Sequence, residues 1–323
     1  MRHIGPWAKL AFSLVMVAYV LWVSNPERLL PTLASADLGL LALGTGIWGA
    51  IQLLNVLKWQ VLNRAQGLLV PFRKLLDVYY MGMFFNTFLP SGFGGDALRA
   101  YELSRLTNRT GSSLSSVIID RYTSLFSLVL LATAAILVAP NDLQLVPKSL
   151  LFALTGFGVL GFLVLLQDRW ILLLLRFHLV SKRPALKAMV EEMAASATAL
   201  RSGGTAILFS FVISLLFQFL TIVEHYVFML ALNLDVPFSY TVLFLPILTF
   251  VASLPISING LGVREGGYAF FLGKVGVGAT EAVSVGLISL AMLLLSGMWG
   301  AVVYAIMRRQ PLSTSSAASD GVA

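Results

Sequence analysis

Residues 84–105 read FFNTFLPSGFGGDALRAYELSR, and the fold turns on what this stretch does. An apolar run from Val78 to Leu89 stops at Pro90. Gly92, Gly94 and Gly95 follow, and then Asp96, Arg99, Glu102 and Arg105 recur every three residues. That spacing sets four charges along one stripe of a new helix, with Asp96 expected at its N-cap. An apolar half-helix, a glycine-rich break and a charged half-helix together describe backbone turning round at membrane depth. There it has to line a cavity or be covered by protein. A tight loop between two ordinary spans is the simpler alternative.

The whole chain agrees with a membrane setting. Of its 323 residues 58% are hydrophobic and 11% charged, against about 25% charged in a soluble domain. This is the composition of a polytopic integral membrane protein. With no cysteine, disulfides, thiolate metal sites and cysteine nucleophiles are excluded. His3, His178 and His225 lie far apart, which argues against a histidine metal centre. The glycine-rich run lacks the Gly-Lys-Ser/Thr of a P-loop, so ATP hydrolysis is not indicated and no cofactor is expected. The net charge of +7 is assigned to basic cytoplasmic loops rather than to a nucleic-acid partner. Arg2 and Lys9 precede the apolar run Leu10–Val23; the Ala34-Ser35-Ala36 triplet lies too far beyond it, past Pro26, Arg28 and Pro31, to be a cleavage site, so the run reads as an uncleaved anchor.

Stretches long enough to cross about 30 Å of hydrocarbon are 7–23, 38–57, 114–139, 150–167, 205–232 and 279–307. Two shorter apolar pieces, 75–89 and 240–254, end at Pro90 and Pro255. Residues 168–204 combine six Lys/Arg with Trp170 and read as amphipathic helices on the membrane surface. The tail 310–323 is small and polar and is expected to be disordered. With the N-terminus inside and both short pieces turning back, seventeen basic residues fall inside and four outside, with Arg121 in a span. The positive-inside rule favours this arrangement. The expected fold is therefore all-α, with six spans, two re-entrant hairpins and both termini cytoplasmic, forming one domain over 1–309.

Residues 250–271, FVASLPISINGLGVREGGYAFF, repeat the opening stretch. Phe85/Phe250, Leu89/Leu254, Pro90/Pro255, Gly95/Gly260 and Arg99/Arg264 all match at an offset of 165. The same offset carries 114–139 onto 279–304 and 38–57 onto the start of 205–232. Two units, near 38–139 and 205–304, each consist of span, hairpin and span. The charge count starts the first unit outside and the second inside, which makes the repeat inverted, an arrangement of transporters whose site lies at the repeat interface near the midplane.

The pattern N-x-F-L-P-S-x2-G-G-D-x2-R-x-Y from Asn86 to Tyr101, with L-P-I-S-x2-G-L-G-x-R-E from Leu254 to Glu265, resembles the lysylphosphatidylglycerol synthase transmembrane family. These flippase-like domains also form the membrane half of the bacterial multiple peptide resistance factor, and the resemblance covers about residues 10–307. It implies movement of lipids such as aminoacylated phosphatidylglycerol between leaflets, in a bacterial cytoplasmic (inner) membrane. The soluble aminoacyltransferase domain of full-length relatives is not in this sequence, so synthase activity is not carried over. Stand-alone relatives are linked to polyprenyl-phosphate lipids among others.

A translocated headgroup needs donors and positive charge for its phosphate. The helix start at Gly94, Gly95 and Asp96 offers backbone N–H groups, and Arg99 can clamp phosphate in two-pronged fashion. Arg264, with Gly260 and Gly262, would do the same in the second hairpin. The alternative is internal pairing, Arg99 with Asp96 or Glu102 and Arg264 with Glu265 or another carboxylate. Asp120 and Arg121 point about 100° apart on their helix. One arrangement has Arg121 facing the cavity and Asp120 paired with an arginine of the first hairpin; in another, both snorkel to the interface. Glu224 can take a cationic headgroup or a coupling proton, and His225 titrates in a useful range; a hydrogen-bonded structural pair is equally open. Asn86, Ser91, Ser257 and Asn259 suit freed backbone groups at the breaks.

These readings favour a lipid flippase or scramblase whose substrate carries an anionic phosphate. A membrane-embedded transferase using Asp120, Glu224 or His225 as base lacks a compact cluster. A non-catalytic partner of a lipid-modifying enzyme has no need of a midplane cavity. Oligomerisation is left open.

Overall fold

The computed structural model describes residues 14–16, 18, 26–89, 94–138, 148–165, 167–176, 182–202, 204–254, 257 and 259–309. Among these residues every regular element is helical. In chain order the α-helices are α1 (Pro26–Ala34), α2 (Leu38–Ala65), α3 (Phe72–Phe88), α4 (Gly94–Thr107), α5 (Thr110–Val138), α6 (Lys148–Leu165), α7 (Asp168–Leu172), α8 (Pro184–Ser202), α9 (Gly204–Ala231), α10 (Phe238–Ser253), α11 (Val263–Gly273) and α12 (Ala279–Arg309).

Four of these helices are long and apolar enough to cross a membrane: Leu38–Ala65, Thr110–Leu137, Gly204–Ala231 and Ala279–Met307. They correspond to four of the six expected spans. The expected span 7–23 falls almost wholly outside the described residues, and 150–167 is the 18-residue helix α6. The short pieces 75–89 and 240–254 are α3 and α10, of 17 and 16 residues. At 1.5 Å per residue each is about 25 Å long, short of the hydrocarbon thickness. Pro90, Ser91, Gly92, Pro255 and the polar tail lie outside the described residues.

Local chemistry sets the helix ends. The Asp37 carboxylate caps α2 by accepting from Leu40 N at 2.9 Å, engaging one of the donors that a helix start leaves open. At the other end Gly67 takes φ +73, the left-handed conformation that closes helices. The span expected over 38–57 leaves Lys58 beyond its end. The helix instead continues to Ala65, because nothing between Leu57 and Gln66 breaks it.

The four-helix order α2–α3–α4–α5 recurs as α9–α10–α11–α12. Adding 165 to the bounds of α2 and α3 lands within a residue of those of α9 and α10. The packing is reciprocal. α2 lies against α9, α3 against α12, and α10 against α5. α2 and α9 run antiparallel: Asp37 N donates to Ala231 O at 2.8 Å, Gly44 abuts the Phe228 ring, and Lys58 and Gln218 both reach Ser124. Gly300 of α12 sits against the Tyr80 carbonyl of α3, while Ala132 and Ile136 of α5 join Leu243 and Ile247 of α10 in one apolar cluster. Each short helix is thus packed on the long last helix of the other unit.

The amphipathic segment expected on the membrane surface is α7 and α8 with a 3₁₀ turn at Leu173–Arg176. α8 is tied to the start of α5. Glu192 Oε2 accepts from Gly111 N at 2.7 Å and Ser196 Oγ donates to Ser112 Oγ at 2.9 Å, so the helix is docked by polar bonds as well as by Val190, Ala197 and Leu200.

Candidate functional site

α3 and α4 fold back on one another at a crossing of two glycines. A side chain at Gly95 would run into the carbonyl of Gly82 and into Asn86, so the absence of Cβ sets how closely the two helices approach. Asn86 Oδ1 accepts from Gly95 N at 2.8 Å. This is the role expected of Asn86, and it means that one of the N–H groups read as an anion site already has a partner. Asp96 is not the N-cap. The helix starts two residues earlier, at Gly94, which places Asp96 inside the first turn with its carboxylate directed at cations.

Those cations form a buried network between α2, α4 and α5. Arg99 Nη2 lies 2.9 Å from Asp120 Oδ2, and its Nη1 lies 3.5 Å from Asp96 Oδ1. Arg121 Nε lies 2.5 Å from Asp96 Oδ2. Lys58 Nζ is 2.9 Å from Asp120 Oδ1. That approach is an ion pair without hydrogen-bond alignment; the ammonium donates instead to the Asp120 carbonyl at 3.2 Å and to Ser124 Oγ at 2.5 Å. Lys58, Arg99, Asp96 and Asp120 are buried, whereas the Arg121 side chain is 45% exposed. The pairing of Asp120 with an arginine of the first hairpin is as expected. Asp120 and Arg121, although they diverge on α5, reach Arg99 and Asp96, one turn apart on α4. The helix stripe divides accordingly: Asp96 and Arg99 are inside, and Glu102 pairs with the exposed Arg105 at 3.5 Å.

The Arg99 guanidinium carbon stands 4.2 Å from the centre of the Trp59 ring and 5.0 Å from that of Tyr79. In a site closed to water such a stack contributes about 2 kcal/mol. Trp59 is itself fixed, its Nε1 donating to Ser116 Oγ at 3.0 Å and that hydroxyl to Asn63 Oδ1 at 2.5 Å. Lys58, Trp59 and Tyr79 were absent from the sequence reading. A signal did exist: Gln52, Asn55, Trp59 and Asn63 on α2 and Gln66 at its C-cap fall three or four apart and are buried, a polar stripe in an apolar helix.

The second unit builds its break differently. Asn259, Gly260 and Gly262 take φ of +50, +78 and +79, and Glu265 Oε2 accepts from Gly262 N at 2.7 Å. Glu265 therefore caps its own helix rather than pairing with Arg264. Half-buried Arg264 reaches the Asn259 carbonyl at 3.4 Å and has no carboxylate within ion-pair distance among the described residues. Glu224 is fully buried, with neither oxygen hydrogen-bonded among the described residues. His225 directs Nδ1 to the Thr221 carbonyl at 2.8 Å and stands 3.8 Å from Glu224 Oε2, so the two are neighbours without a hydrogen bond. Its ring stacks on Tyr268. Ser257 Oγ is buried and also unpartnered among the described residues. No group of three histidine or acidic residues suited to a metal occurs among the described residues.

A family profile described as "Lysylphosphatidylglycerol synthase TM region" matches residues 7–300. A protein described as "UPF0104 membrane protein" from Methanothermobacter thermautotrophicus is 24% identical over 296 residues, covering 86% of this chain and 87% of the relative. No solved structure matches.

Proposed function

The chain belongs to the family described as the lysylphosphatidylglycerol synthase TM region, and from that premise we propose that it moves a lipid with an anionic phosphate headgroup between membrane leaflets, as a flippase or scramblase. The observation that carries this reading is the antiparallel, reciprocal packing of two four-helix units, each with a short helix broken beside an arginine. This supports an inverted repeat of units 38–139 and 205–304 within one domain, with α3–α4 and α10–α11 as re-entrant hairpins, six spans in all and both termini cytoplasmic. A bacterial cytoplasmic membrane is the proposed location. In such repeats the substrate meets broken helices near the midplane.

The headgroup phosphate is held by Arg264, which has no ion pair among the described residues, and by Arg121, whose side chain is 45% exposed beside its pair with Asp96. Arg99 acts by holding α4 in place. Lys58, Arg99 and Arg121 outnumber Asp96 and Asp120 by one formal charge, leaving this network attractive to an anion. The acyl chains stay in the bilayer, alongside exposed apolar residues such as Leu295, Met298, Trp299 and Val302 of α12. The test is lipid movement in proteoliposomes carrying fluorescent phosphatidylglycerol, read by quenching from outside. Purified protein that leaves the flip rate at the protein-free level for phosphatidylglycerol, aminoacylated phosphatidylglycerol and a polyprenyl phosphate alike defeats the reading.

A further inference from the structure

A fully buried carboxylate without a hydrogen bond is costly unless it is neutralised or paired. Glu224 is in this position: its side chain is 1% exposed and both oxygens lack a hydrogen-bond partner among the described residues. The neighbouring helices bring the following polar groups. From its own helix, His225 is bonded to the Thr221 carbonyl. From α11 comes Tyr268, whose ring stacks on that of His225, with Arg264 one turn before it on the same helix and Glu265 beside it. From α10, Tyr240 donates to the Phe271 carbonyl at 2.7 Å. On α2, which packs against the Glu224 helix, Lys58 is bound elsewhere, to Asp120 and Ser124. Arg264 is the cation of this set without an ion pair among the described residues, and Glu265 is turned back onto Gly262 N.

Glu224 therefore has two low-energy conditions, a bound proton or the guanidinium of Arg264. We propose that Glu224 is a proton-binding site that competes with the lipid phosphate for Arg264, so that proton uptake and phosphate capture occur together. This rests on the reading of Arg264 as a headgroup contact. The proton goes onto a carboxylate oxygen and no other bond is made or broken. With Glu224 protonated, Arg264 is free to take the phosphate. Loss of that proton gives Arg264 an internal anion and weakens the phosphate. Because binding couplings are reciprocal, phosphate binding draws a proton onto Glu224. A proton gradient can then drive the lipid in one direction, giving the transporter an energy source that needs no nucleotide.

Two readouts separate this inference from lipid transport itself. The first is proton uptake when dioctanoyl phosphatidylglycerol is added to detergent-solubilised protein, with infrared difference spectra reporting a protonated carboxyl. The second is the pH profile of fluorescent phosphatidylglycerol movement in phosphatidylcholine vesicles. Wild type should take up a proton and gain the carboxyl band on lipid addition. Its affinity for the probe should rise on acidification by about 5- to 150-fold, the usual span of a coupling between two sites. Glu224→Gln should lose the band and the proton uptake and hold probe affinity near the acidic limit at every pH, while the exposed control Glu191→Gln behaves as wild type. Proton uptake and band without lipid movement support the inference and remove the transport reading. Lipid movement with no carboxyl band, or with the same pH dependence in Glu224→Gln, overturns the inference and leaves transport standing.

Discussion

The Arg99 guanidinium lies over the Trp59 indole, 4.2 Å from its centre. At the matching positions 165 residues later stand Arg264 and Glu224. Where the first unit has an aromatic face under its arginine, the second has a buried carboxyl in the matching position, with no ion pair to Arg264 among the described residues. Arg99 is held by its stack and two aspartates, while half-buried Arg264 makes no ion pair among the described residues.

Asp120 is the anion shared by Lys58 and Arg99. Asp120→Asn leaves two buried cations without it, and breaking a buried pair costs about 3–5 kcal/mol. Lys58→Met leaves the Arg99–Asp120 pair whole and should cost less. Thermal unfolding in detergent should therefore rank wild type above Lys58→Met and Lys58→Met above Asp120→Asn. The reverse order of the two variants would show that Lys58, not Arg99, is the main partner of Asp120.

Gly95→Ala drives a methyl into backbone, the Gly82 carbonyl, whereas at Gly267 the added methyl meets the flexible end of Leu248. Overpacking against side chains costs about 1–3 kcal/mol, and a backbone clash exceeds that. Gly95→Ala should give little folded protein, and Gly267→Ala a modestly lower melting temperature. Equal yields and equal melting would mean that the α3–α4 crossing can open without penalty.

Cysteine labelling tests the orientation in this cysteine-free chain. Exposed positions 30, 69 and 185 serve as reporters; position 66 is unsuitable because Gln66 is buried against α2. Position 30 should label from outside, and 69 and 185 only from inside. Label reaching 185 from outside would remove the inverted arrangement.

Arg264→Ala should abolish most lipid movement with little loss of stability, since it breaks no ion pair among the described residues. Arg264→Lys should recover only part, because an ammonium does not reproduce a planar two-pronged donor. Flip rates and melting temperatures measured side by side check this, and an inactive but strongly destabilised Arg264→Ala would recast the residue as structural.

The ends of α3 at Phe88 and α10 at Ser253 and the spacing of 165 were legible because proline, glycine and arginine leave strong marks at fixed positions in the sequence. Asp120 with Arg99 was legible as well, since an acid inside an apolar run calls for a cation nearby. Lys58 was missed because it follows Leu57 near the end of an apolar run, where a basic residue reads as the edge of a span. Only the tertiary placement of Ser124 and Asp120 on another helix keeps it inside. Trp59 carries no charge, and the stacking it offers depends on where α4 crosses α2. The helix start at Gly94 was misplaced because Asp96 is a good cap in isolation, while the cap is supplied from across the hairpin by Asn86.

The packing of α3 on α12 has a consequence for synthesis. Tyr80 and its contact Gly300 are 220 positions apart. At about 5–20 residues per second, the ribosome needs roughly 10–45 s to deliver the second after the first. For that interval the first hairpin has no final surface to rest on, and its short apolar helix must be sheltered by lipid, by α2 and α5, or by the insertion machinery. The protein is completed by its last long helix, so a chain cut short before α12 is left with an open seat rather than a smaller working unit.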